Sequence, residues 1–123
     1  MLTSELYNYF KNTNSVSIDT RSIINGSIFF ALKGDNFDGN KFAKQAIENG
    51  ASYAVVDDQS LNHPLIIKVD DVLKSLQDLS KFHRSKLLKT KIIALTGSNG
   101  KTTTKELINE VLKTKFNVSS TIG

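Results

Sequence analysis

The sequence predicts an α/β protein in two parts: a small α/β domain over residues 1–86, then, from 87 to 123, the opening strand, loop and helix of a second domain. Three observations carry this. Short apolar runs alternate with segments of helical periodicity, the pattern of parallel strands joined by crossover helices. One run, Ser27 to Leu32, is apolar almost throughout, as in a strand covered on both faces rather than a half-exposed one. A glycine-containing turn also stands directly between the apolar Ile92–Leu95 and an amphipathic stretch.

Taken in order, Thr3 can cap a first helix whose Leu2, Leu6, Tyr9 and Phe10 share a side, and the polar Asn12–Ser15 stretch stops it. Val16 to Ile18 is a short strand, and the buried-type run follows the Asn25-Gly26 turn. Lys33 to Asn40 reads as a loop. Phe42, Ala43, Ala46 and Ile47 recur at helical spacing, and Asn49-Gly50 supplies residue types suited to a helix exit. Tyr53–Val56 and Leu65–Val69 are two more strands, separated by turn formers and the only proline. Asp70 or Asp71 can cap a longer helix with Val72, Leu76, Leu79 and His83 in one stripe, flanked by Leu73 and Leu87. On that stripe His83 reads as a packed, hydrogen-bonded residue rather than a ligand. Around Arg84–Lys91 the chain turns polar and basic, which places the domain boundary there.

Composition excludes several classes. A chain of 123 residues with 39% hydrophobic and 23% charged residues is long enough for one modest core and is not a disordered tail. Without cysteine there is no disulfide framework and no thiolate metal site, and His63 and His83 alone do not make a zinc cluster. No apolar run is long enough to cross a bilayer, and Met1 opens no basic-then-apolar leader, so a cytoplasmic protein without membrane insertion is expected. The formal charge of +4 comes from lysines scattered among acids, with only Phe82–Lys91 locally basic. That pattern reads as solvated surface rather than a nucleic-acid footprint, and it also favours an anionic nucleotide.

The sharpest chemical signal is Thr96-Gly97-Ser98-Asn99-Gly100-Lys101-Thr102-Thr103-Thr104, followed by Leu107, Ile108, Val111 and Leu112 on one helical side. Glycines let successive backbone N–H groups turn toward anionic oxygens, a helix N-terminus adds positive potential, and a lysine adds a mobile ammonium. Gly97, Ser98, Asn99, Gly100, Lys101, Thr102 and Thr103 are therefore candidate phosphate-binding residues, with the Thr102 hydroxyl placed for Mg2+. The long form of such a loop would need glycine at 95, where Leu95 stands, so the match is to a shorter G-x-x-G-K-T version. The bland alternative is a threonine-capped helix after a flexible turn, with Lys101 merely exposed.

The segment G-S-N-G-K-T-T-T-K-E, Gly97 to Glu106, resembles the ATP loop of the Mur ligases, which add amino acids to the peptidoglycan precursor. Upstream, I-D-T-R (Ile18–Arg21), N-G-S-I-F-F-A-L-K-G (Asn25–Gly34), F-D-G-N-K-F (Phe37–Phe42) and A-I-E-N-G-A (Ala46–Ala51) are similar to the N-terminal domain shared by the last two enzymes of that series. The wording T-T-T-K-E and F-F-A-L-K-G is more like the member that adds D-Ala-D-Ala than the member that adds the third amino acid. Thr20 replaces a serine usual in the latter, and Asn40 stands where histidine is common.

The resemblance implies a first domain holding the UDP part of a UDP-N-acetylmuramoyl-peptide, a Rossmann-like central ATPase domain, and a third domain closing over the incoming amine, in a monomer using ATP and Mg2+. On that basis the chain is expected to be the N-terminal part of a longer enzyme, with Phe116–Val118 starting the next strand of the second domain, Ser119–Gly123 beginning a substrate-binding segment and no ligase activity alone. Carried over by position, uracil and ribose would lie near Ile18 and Thr20 and against Asp35, Asn36 and Phe37, while Lys101 would neutralise charge during phosphoryl transfer and Thr102 would ligate Mg2+. Thr20, Asp35 and Asn36 are equally ordinary turn residues. Arg21 and Asp38 could hold the loop through charge-assisted hydrogen bonds or simply be solvated, and Phe29 and Phe30 belong to the core.

Overall fold

In the computed structural model, which describes residues 1–121, the apolar run after Gly26 becomes an inner strand of a four-stranded parallel sheet. The chain separates into two units, Met1–Leu88 and Lys89–Gly123. In the first, α1 (Thr3–Phe10) leads into β1 (Val16–Ser17), a 3-10 turn (Thr20–Ser22) and β2 (Ile28–Phe30). An antiparallel hairpin, β3 (Lys33–Gly34) and β4 (Phe37–Asp38), follows, then a second 3-10 turn (Gly39–Phe42), α2 (Ala43–Glu48), β5 (Tyr53–Val56), β6 (Ile66–Lys68) and α3 (Val72–Lys86). The sheet order is β1-β2-β5-β6, with Ile28 opposite Val16 on one side and Tyr53 on the other.

Successive side chains of a strand point to opposite faces, so β2 feeds two cores. Ile28 and Phe30 join Leu6, Val55, Ile67, Val69, Val72 and Leu79 beneath α1 and α3. Phe29 joins Ala31, Ala43, Ala46, Ala51, Ala54 and Val56 beneath α2, where alanines let a short helix lie against the sheet. Phe29 and Phe30 are fully buried, as expected of core rather than ligand contacts, and each contributes about 2–3 kcal/mol by leaving water.

Local rules account for the helix ends. The Asp71 carboxylate accepts from the Lys74 N–H at 3.0 Å, so of the two aspartates it is Asp71 that caps α3. His83, Arg84 and Lys86 lie in the last turn, where cations suit the helix dipole. His83 packs against the Tyr7 and Phe10 rings, its Nδ1 3.4 Å from the Tyr7 hydroxyl, and thus occupies the packed position expected of it.

In the first unit three expectations are corrected. Thr3 is the first helical residue rather than the cap, and Leu2, which was expected on the buried side, is 68% exposed. Its N–H donates instead to the Glu5 carboxylate at 3.0 Å, while Tyr7 joins Leu6 and Phe10 against α3. Lys33–Asn40 is not a simple loop but a hairpin pairing Lys33 with Asp38 and Gly34 with Phe37, with arms too short to show periodicity in the sequence.

In the second unit, the helix after the glycine turn forms as α4 (Lys101–Leu112), but the strand expected over Ile92–Leu95 does not form, nor does one at Phe116–Val118. Ile92 and Ile93 are 60% and 59% exposed. Apolar content becomes a strand only where a ladder partner exists, and no strand pairs with either segment among the described residues. Of the expected Ser119–Gly123 segment, Ile122 and Gly123 lie outside the described residues. Among those described, no helix is long and apolar enough to cross a membrane.

Gly39 links the hairpin to the sheet at close quarters. Its N–H donates to the Leu32 carbonyl at 2.8 Å, and a Cβ placed on it would sit 2.7 Å from that oxygen and 2.8 Å from the Ala31 backbone. A Cβ on Gly34 would meet nothing within 4 Å. Gly39→Ala is expected to lower unfolding free energy by about 1–3 kcal/mol in urea titrations, and Gly34→Ala by no more than about 0.5 kcal/mol.

Candidate functional site

Parallel strands place their carboxyl ends along one edge, where α/β sheets bind ligands. Ile18 leaves the end of β1, Asp35–Phe37 form the tip and returning arm of the hairpin that follows β2, and Asp57 and Asp58 leave the end of β5. Ile18 is exposed and Thr20 opens the first 3-10 turn, its carbonyl accepting from Asn49 Nδ2 at 3.2 Å. That turn is shaped by Asp19, whose carboxylate accepts from the Arg21 N–H at 2.9 Å and pairs with its guanidinium at 2.7 Å. The Arg21 side chain holds the Asp19 carboxyl down to about 2. Arg21 therefore serves its own turn. At the hairpin, Asp35 and Asn36 are exposed, and the half-exposed Phe37 stacks on Phe42 with ring centroids 5.3 Å apart and planes 10° from parallel.

Behind the hairpin lies a polar cluster that sequence reasoning did not find. Asn40 is buried; its Nδ2 donates to Asp38 Oδ1 and Asp57 Oδ1, both at 2.9 Å, and its Oδ1 accepts from the Asp57 and Asp58 N–H groups at 3.1 and 3.2 Å. Asp38 also accepts from the Asn40 N–H at 3.0 Å, so it holds loop geometry rather than standing solvated. Lys33 Nζ lies 2.9 Å from Asp57 Oδ1. Burial pushes the Asp57 carboxyl up, but hydrogen bonds from Lys33, Asn40 and the Val72 N–H outweigh it and hold it below the usual carboxylate range. The Asp57 hydrogen bond raises the Lys33 ammonium in turn. The available signal was a pair of aspartates ending a buried strand, together with the asparagine in F-D-G-N-K-F.

In the second unit, Gly97 and Gly100 have φ of +152° and +74°, and a Cβ on either would meet nothing within 4 Å. Gly100 is the residue before α4, in the left-handed conformation that turns the chain into the helix. The first internal bond of α4 runs from the Thr104 N–H to the Gly100 carbonyl at 2.9 Å, so the N–H groups of Lys101, Thr102 and Thr103 precede the helix's own ladder. Gly97, Ser98, Asn99, Gly100, Lys101, Thr102 and Thr103 are all exposed. An open glycine turn, three leading N–H groups and an ammonium at the first helical position fit a polyphosphate. No group of three or more His, Cys, Asp or Glu gathers as a metal site among the described residues. The Thr102 side chain carries a hydroxyl, which would suit a Mg2+ ion that keeps most of its shell from water and phosphate.

A family model described as the Mur ligase family catalytic domain matches residues 12–85, and one described as the Mur ligase middle domain matches 95–123. The chain belongs to the Mur ligase family. It is 44% identical over 114 residues to the UDP-N-acetylmuramoyl-tripeptide–D-alanyl-D-alanine ligase of Bacillus subtilis, covering 89% of this chain and 24% of that protein. It is 36% identical to the UDP-N-acetylmuramoyl-L-alanyl-D-glutamate–2,6-diaminopimelate ligase of Clostridioides difficile, covering 89% and 23%. Among solved structures it is similar to MurF of Acinetobacter baumannii, with TM-score 0.73, 30% identity and coverage of 92% and 27%. It is also similar to the MurF ligase of Thermotoga maritima in complex with ADP, with TM-score 0.66, 31% identity and coverage of 84% and 24%. The chain spans about a quarter of the length of the curated relatives it matches.

The Asp57 cluster has a definite pH signature. A carboxyl held low in the folded state adds stability that is complete above its ordinary value near 4 and is lost as pH falls through the depressed one. A raised lysine adds stability that is complete below about 10.4 and is lost as pH rises through the raised value. Lys33 is 53% exposed, so solvent screens the ion pair. Thermal melts are expected to show Asp57→Asn losing about 1–2 kcal/mol at neutral pH, and less of the stability that remains disappearing below pH 4 than in the parent chain.

Proposed function

We propose that this chain supplies the nucleotide-sugar domain, over residues 1–86, and the ATP loop, in residues 87–123, of a cytoplasmic, monomeric ATP-dependent ligase that adds D-Ala-D-Ala to UDP-N-acetylmuramoyl-tripeptide. The observation that carries this is the loop: a left-handed Gly100 delivering Lys101 to the head of α4, in a chain 44% identical to a D-alanyl-D-alanine-adding ligase. ATP, when bound, supplies the phosphoryl group that turns a resistant carboxylate into an acyl phosphate open to an amine. Asn99, Gly100, Thr103 and the loop's other N–H groups hold anionic oxygens, Lys101 neutralises charge beside them, and the Thr102 hydroxyl offers a ligand to Mg2+. None of these groups is a nucleophile. Ile18, Thr20, Asp35, Asn36 and Phe37 hold the uridine, through hydroxyl and amide groups at the uracil edge and an apolar ring face.

A second reading, addition of the third amino acid to the UDP-linked dipeptide, draws on the 36% identity with the Clostridioides difficile ligase. The two separate in one assay of the full-length ligase with ATP. Amide product from UDP-N-acetylmuramoyl-tripeptide and D-Ala-D-Ala is expected, whereas product only from the dipeptide and a diamino acid would overturn the first reading for the second. Lys101→Ala is expected to lower kcat by about 100-fold or more, and the 123-residue chain alone is expected to form no amide product.

A further inference from the structure

The hairpin of β3 and β4 has little apolar support. Lys33, Gly34, Asp35, Asn36 and Phe37 are exposed, and two-residue arms do not stand on their own. What fixes it is polar. Lys33 on one arm and Asn40, just beyond the other, meet the same oxygen of Asp57 at 2.9 Å each, and the other Asp57 oxygen accepts from the Val72 N–H at the start of α3 at 3.4 Å. Asn40 uses both ends of its amide in four hydrogen bonds, spanning Asp38 on the hairpin and Asp57 and Asp58 at the end of β5. A part-buried network in which a buried asparagine bonds through both ends of its amide specifies one geometry. The geometry it specifies is that of Phe37, one ring face laid on Phe42 and the ring still 50% exposed.

We propose that Asn40, Asp57 and Lys33 are positioning residues for the uridine nucleotide, locking the hairpin to the end of β5 so that the outer face of Phe37 is set in advance for the base. The proposal rests on the nucleotide-sugar reading above. None of the three need touch the ligand; their contribution is to remove the ordering cost that a loose hairpin would impose on binding.

The test titrates UDP into the 123-residue chain, followed by amide and aromatic NMR shifts, for the parent chain, Lys33→Met, Lys33→Arg, Asn40→Ala, Asp57→Asn and Phe37→Ala. Lys33 is half-exposed and outside both cores, so Lys33→Met keeps the test alive should the Asn40 or Asp57 variants fail to fold. Lys33→Met is expected to weaken UDP binding about two- to fivefold and to broaden the Phe37 ring signals while leaving Val55 shifts in place. Lys33→Arg is expected to restore most of the affinity. In a Phe37→Ala background, Lys33→Met is expected to cost nothing further, because the two act through one ring. Parent-like affinity in all three positioning variants, or losses that add to that of Phe37→Ala, would overturn the proposal and leave the nucleotide reading standing. Failure of the parent chain itself to bind UDP would overturn both.

Discussion

The strand Ile28–Phe30 is bonded to a parallel neighbour on each edge and presses apolar side chains into a separate core on each face. Such a strand is stable only if both faces are covered, and parallel neighbours cannot be joined by tight turns. Covering one face calls for α1 and α3, and covering the other calls for α2, which lies in the connection from β2 to β5. Since the strands run the same way, the segments that leave β1, β2 and β5 emerge along one edge. The gathering of Ile18, the hairpin and Asp57 there is a consequence of how the middle of the sheet is buried.

The two units shape their candidate sites by different means. At the sheet edge, side chains do the holding: an asparagine amide and a carboxylate, kept charged by its neighbours, grip a hairpin that has no core of its own. At the head of α4 the backbone does it, through a glycine in the left-handed region and N–H groups that come before the first internal helix bond. A side-chain grip answers to pH and to single substitutions, whereas a backbone cradle depends chiefly on the freedom of its glycines.

Legibility in the sequence followed the range of the interactions involved. The buried run at Ile28–Phe30, the helix of Ala43 and Ala46, the cap at Asp71 and the packed His83 are written in local periodicity and spacing, and each stands where expected. The first helix starts one residue earlier than residue type suggests: Thr3 is a better cap by type, yet the glutamate at position 5 supplies a bond that Leu2 can use through its N–H alone. Asn40 stands out in the sequence only as a replacement within a motif, since its importance lies in Asp57, seventeen positions away. Ile92–Leu95 shows the opposite failure: its apolar pattern suggests a strand, but a strand is a property of a pair, and its ladder partner is absent among the described residues. In the loop from Gly97 to Thr103, the glycine offsets and the helix that follows were both legible, because turn and helix are specified within a dozen residues.

The outer margins of the sheet bear on how the chain behaves in a crowd. One margin is β1, two residues long, and the other is β6, three residues long, ending in a lysine whose ammonium is bonded to Gln59 and Asn62. A stray strand seeking a free row of peptide groups finds only a short template on either side, and on one of them a charge at its end. Recruitment of further copies by edge-to-edge pairing, the usual first step toward fibrous aggregates, therefore has little to grip on this sheet.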